Sequence, residues 1–94
     1  MSLPAQSPPL PIAGSTLIEW GGALRWLPGP QDGSPLRALA ARRGGHAMLY
    51  RARVKPPEGC FQPLPPAMLA LHHRLKAVFD PHRIFNRGRL YPDL

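Results

Sequence analysis

Fourteen prolines and nine glycines stand in this 94-residue chain, so about a quarter of the backbone is either locked or unusually free. That lies close to the roughly 25–30% at which disorder becomes the default for a sequence. The hydrophobic fraction is nevertheless 44%, ordinary for a globular protein. The prolines are therefore expected in tails and connectors around a modest core. A domain this small buries only about 60–65% of its unfolded surface, too little to enclose a large cofactor by itself.

The placement of the special residues divides the chain. Pro4, Pro8, Pro9 and Pro11 crowd residues 1–14, which read as a proline-rich arm or linker, leaving 15–94 as the folding part. Thr16 to Trp20 and Ala23 to Leu27 are two strand-like runs separated by Gly21-Gly22. Two glycines supply the positive φ of a primed turn, so the runs predict a hairpin with Leu17 opposite Trp26 and Ile18 opposite Arg25. An isolated hairpin is unstable, so both faces are expected to need cover.

Ser34 and Pro35 read as the cap and first position of a helix that Gly44-Gly45 terminate, with Arg42 and Arg43 at its cation-favouring end. His46 to Val54 predicts a third strand. From Pro66 the periodicity is helical again, with Met68, Leu71, Leu75, Val78 and Phe79 on one face and Asp80-Pro81 as the stop. The predicted fold is α+β, a hairpin plus one further strand backed by two helices, in the order β-β-α-β-α.

Chemistry is sparse. Twelve basic residues against five acidic ones give a charge of +7. The cations are spread along the whole chain, so a stand-alone basic nucleic-acid-binding or interaction module is the alternative reading and nucleic acid is not the expected partner. Cys60 is the single cysteine, which excludes an internal disulfide and any multi-thiolate metal or iron–sulfur site within these residues. His72 and His73 are adjacent and would diverge by about 100° on a helix, so no metal site is expected. No paired carboxylates, phosphate-cradling glycine loop or activated nucleophile stands out. No catalytic residue is predicted. No apolar run reaches membrane-span length and no signal-peptide pattern opens the chain, so a cytoplasmic protein without a transmembrane segment is expected.

Two segments carry a resemblance. The ending FDPHRIFNRGRLYPDL, Phe79 to Leu94, resembles the C-terminus of FAD-linked oxidases of the vanillyl-alcohol-oxidase type, where a helix runs into an FDP-x-x-I-F-N-P-G segment. Together with LIEWGGALRW, Leu17 to Trp26, it is similar to the FAD-binding subunits of bacterial glycolate oxidases. The resemblance covers Leu17 to Leu94 and implies that residues 15–94 are a cap-type C-terminal fragment. It further implies a complex that oxidises glycolate, a 2-hydroxy acid, to glyoxylate by hydride transfer to FAD, with electrons passing on through an iron–sulfur subunit. The N-terminal FAD-binding domain of that family has no counterpart here. The fragment alone is accordingly expected to be non-catalytic, to bind no FAD, and to self-associate over the surface its missing neighbour would bury. Any attachment to the inner membrane would be peripheral, through the complex. Asn86 matches the asparagine of the N-P-G segment and is the one candidate cofactor-binding residue, near the flavin in the intact subunit; an amide can both donate to and accept from a flavin edge. The chain departs from the pattern at Arg87, where proline is usual.

Overall fold

In the computed structural model, which describes residues 1–94, Gly21 and Gly22 reverse the chain between β1 (Leu17–Glu19) and β2 (Leu24–Trp26). Both glycines have positive φ, 61° and 100°, and Ala23 N–H donates to the Trp20 carbonyl across the turn at 3.1 Å. The strands are antiparallel with Leu17 opposite Trp26, Ile18 opposite Arg25 and Glu19 opposite Leu24, the register that a two-glycine loop imposes. On one face the Trp26 indole donates to the Glu19 carboxylate at 2.6 Å.

The other edge of β2 is taken by the first residues of the chain. Arg25 N–H donates to the Met1 carbonyl and Leu3 N–H to the Ala23 carbonyl, so Ser2 lies antiparallel to Leu24 and, on its far side, to His46. Part of the proline-rich segment is thus woven into this unit, which runs from Met1 to Val54. Close approach explains Gly45: a Cβ there would lie 2.1 Å from the Ser2 carbonyl oxygen, a backbone atom already engaged by His46 N–H.

The third strand predicted over 46–54 does not form; the element order is β-β-α-α. The edge available to it is only the short Met1–Leu3 segment. Pro4 follows with no N–H to offer, and the chain turns there, Ser7 N–H donating to the Pro4 carbonyl at 2.9 Å. His46 forms one isolated bridge, to Ser2, and no strand is built from it. The alternation remains without the strand: Ala47 is buried, Met48 and Tyr50 point outward, and the Tyr50 ring meets Trp26 edge-on at 5.2 Å.

Helix α1 (Gly33–Arg42) starts two residues before the expected position. Asp32 caps it, its carboxylate accepting from Ser34 N–H at 3.2 Å, where Ser34 itself was the predicted cap. The end is a Schellman arrangement, with Gly44 at φ 70°, Gly45 N–H donating to Ala40 and Gly44 N–H to Ala41. Its Ala40 is fully buried against Leu3 and Ala47, with Leu36, Leu10 and Met1 packed around them. This small cluster is the hydrophobic core of the first unit.

The second unit, Lys55 to Leu94, contains α2 (Pro66–Phe79) with Pro66 at its first position. None of the residues of α2 is buried, and the stripe expected to face a core is open, Val78 at 74% and Phe79 at 81% exposure. Polar ties hold this unit instead. The Tyr91 hydroxyl donates to the Gln62 carbonyl at 2.7 Å, Phe61 and Tyr91 rings lie 6.4 Å apart, and the His73 imidazole meets the Asp93 carboxylate at 2.8 Å. No helix of the chain is long and apolar enough to cross a membrane.

Candidate functional site

The segment after α2 is organised by one buried carboxylate. Asp80 is only 6% exposed and ends the helix, its own N–H still donating to the Lys76 carbonyl at 2.8 Å. One carboxylate oxygen accepts from Ile84 N–H at 2.9 Å and the other from Phe85 N–H at 3.0 Å. Lys76, one helical turn earlier, places its ammonium 2.6 Å from the same oxygen that Phe85 uses, and also donates to the Phe85 carbonyl. Pro81 has no N–H and cannot continue the helix, so the chain folds back here, Arg83 N–H closing a turn on the Asp80 carbonyl.

Asn86 follows directly. It is exposed, in the left-handed region at φ 49°, and its carbonyl accepts from Arg89 N–H at 3.2 Å. Asparagine tolerates that conformation better than most residues, and Gly88 at φ 64° completes the turn. Arg87 therefore occupies a turn position without displacing Asn86. The neighbours Ile84 and Phe85 present exposed apolar side chains. An amide flanked by apolar groups suits the polar edge of a flat heteroaromatic ring; no glycine-rich phosphate cradle accompanies it.

The Lys76 ammonium, assisted by the Ile84 and Phe85 N–H groups, holds the Asp80 carboxyl down at about 2, against the opposing effect of its burial. Because the folded value lies below the unfolded one of about 3.9, this stabilisation is fully present above about pH 4 and is lost as pH falls through about 2. The Ile84 and Phe85 amide resonances should therefore move with an acid midpoint near 2, and Asp80→Asn should abolish that titration. A midpoint near 4 would show the carboxylate to be unpaired.

Sequence reasoning marked Asn86 but treated Asp80-Pro81 only as a helix stop and passed over Lys76. Their four-residue spacing was the available signal, since such pairs meet on a helix. No group of three or more His, Cys, Asp or Glu side chains is placed to hold a metal ion.

The same segment is where the chain meets known proteins. Residues 62–90 match the family model described as FAD linked oxidases, C-terminal domain. Over all 94 residues the chain is 38% identical to the glycolate oxidase subunit GlcE of Escherichia coli (strain K12). The similarity to the C-terminal domain of FAD-linked oxidases therefore lies in α2, the segment leading into it and the turn that follows it. The chain spans 26% of the length of GlcE, aligning with the C-terminal part of that protein. No solved structure matches it. The FAD-linked oxidase match ends at Leu90 and so includes Lys76, Asp80 and the Asn86 turn.

Proposed function

We propose that this chain is the C-terminal, cap-type part of the FAD-binding subunit of a glycolate oxidase complex. The observation that carries the reading is the 38% identity to a glycolate oxidase subunit along the entire chain. FAD, when bound to such a subunit, supplies the two-electron acceptor that takes hydrogen from the carbon bearing the hydroxyl of glycolate, leaving glyoxylate. The residues here would hold the ring end of the cofactor: Asn86 would offer its amide to the flavin edge, with the exposed side chains of Ile84 and Phe85 beside it.

Pyrophosphate and adenine contacts belong to a preceding FAD-binding domain, and onward electron transfer to an iron–sulfur subunit of the complex. Such a division suits a unit whose helix α2 has no buried residue of its own. It also suits a cytoplasmic subunit, held at the inner membrane only through the complex.

Purified as the 94-residue chain, the protein is expected to be colourless and to leave the absorbance of added FAD unchanged. FAD bound in one-to-one amount would overturn the assignment of the main cofactor contacts to a preceding domain.

A further inference from the structure

Resting on that reading of Asn86, we propose that Lys76 and Asp80 are positioning residues, a charged clamp that sets the Asn86 turn in the shape it presents to the flavin. Between the end of α2 and Gly88 the backbone twice enters the left-handed region at a residue other than glycine, at Arg83 with φ 52° and Asn86 with φ 49°. Such conformations persist only where surrounding contacts over-determine them. Here the contacts converge on Phe85. Its N–H is held by Asp80 at 3.0 Å and its carbonyl by Lys76.

The Phe85 carbonyl and the Asn86 N–H belong to one planar peptide unit, so fixing the first fixes the second. On the other side, the Asn86 carbonyl is held by Arg89 N–H. Asn86 is thus pinned at both peptide units; on the helix side the pin is Lys76, and Asp80 anchors that lysine while holding the preceding peptide unit through the Phe85 N–H. A helix stop alone needs neither a buried carboxylate nor a lysine reaching past the helix end. The carboxylate accepts from two successive amides, and the lysine bonds both that carboxylate and the far carbonyl.

The clamp is separable from bulk folding. Its four partners lie within residues 76–85, while the apolar core of Leu3, Ala40 and Ala47 lies in the other unit. In the 94-residue chain, Asp80→Asn and Lys76→Met should shift the amide resonances of Ile84, Phe85 and Asn86 and leave those of Ala40 and Ala47 in place. In the FAD-loaded subunit, Asn86→Ala, Asp80→Asn and Lys76→Met should alter the visible circular dichroism of the flavin in the same sense. Each should also lower kcat/KM for glycolate by about tenfold or more, since small misplacements cost that much. Lys76→Arg should restore the flavin signal by keeping the charge.

Two results overturn the proposal in distinguishable ways. An Asn86→Ala subunit with an unchanged flavin signal removes the reading of Asn86 itself. A subunit in which Asn86→Ala changes the signal while Asp80→Asn and Lys76→Met do not removes the clamp and leaves that reading standing.

Discussion

Replacing Arg25 by alanine is expected to cost about 3 kcal/mol of stability and to release residues 5–12 from the hairpin, because the guanidinium is the tie between them. Arg25 lies opposite Ile18 on β2 and is only 3% exposed. It donates to the Gly22 carbonyl at 3.2 Å, to the Pro8 carbonyl at 2.8 Å and to the Ser7 carbonyl. Pro8, Pro9 and Pro11 have no N–H, so this segment cannot sustain a ladder, and it is bound to Arg25 through its carbonyls. A planar fork of donors is the group that can collect several of them at once. Truncation leaves carbonyls without partners and a void beside them. Arg25→Lys should recover only part of the loss, since an ammonium cannot span the same fork. Denaturant unfolding measures the cost, and protease cleavage within residues 5–12 reads the release. An Arg25→Ala protein as stable as the parent would show that the arm is held by something else.

The second large effect concerns α2. Met68, Leu71, Leu75, Val78 and Phe79 form one apolar face and are all exposed. Fully burying such a side chain is worth about 1.5–3 kcal/mol, and a contiguous patch of them marks an interaction surface. Purified as these 94 residues, the chain should associate with itself through this face. Sedimentation at high concentration should give a mass above the monomer's 10.4 kDa. Changing Leu71 and Val78 together to lysine should weaken association about a hundredfold, as removal of about 3 kcal/mol of burial requires. A parent chain that sediments as a clean monomer would mean that this face is tolerated in water.

The hairpin was legible because a two-residue glycine loop leaves one register, and the residues on either side of it are β-formers. Both helices were legible from their stops, Gly44-Gly45 and Asp80-Pro81. The third strand was not, since alternation at 46–50 records which side chains face inward and says nothing of whether an edge is free to pair. That edge depended on Met1–Leu3, which composition assigned to an arm. The exposed α2 stripe is a similar case: periodicity grouped the apolar residues on one face, but the half-buried side of the helix is the one that carries Leu69, His72, His73 and Lys76, and the apolar stripe stays open.

At the candidate site, Asn86 was reached through a resemblance in the ending FDPHRIFN. The clamp beneath it was written in the Lys76–Asp80 spacing, yet an i,i+4 pair on a helix is usually a solvated surface feature of little energetic weight. Only the burial of Asp80 and the return of the chain onto it give the pair a positional role, and neither is encoded in the spacing.

The most direct test of the central claim exchanges the C-terminal quarter of Escherichia coli GlcE for this chain and measures FAD content and glycolate-dependent dye reduction of the resulting complex. The exchanged complex should retain FAD and oxidise glycolate, and Asn86→Ala should impair it. A folded, assembled complex that holds no FAD and leaves glycolate untouched would contradict the assignment.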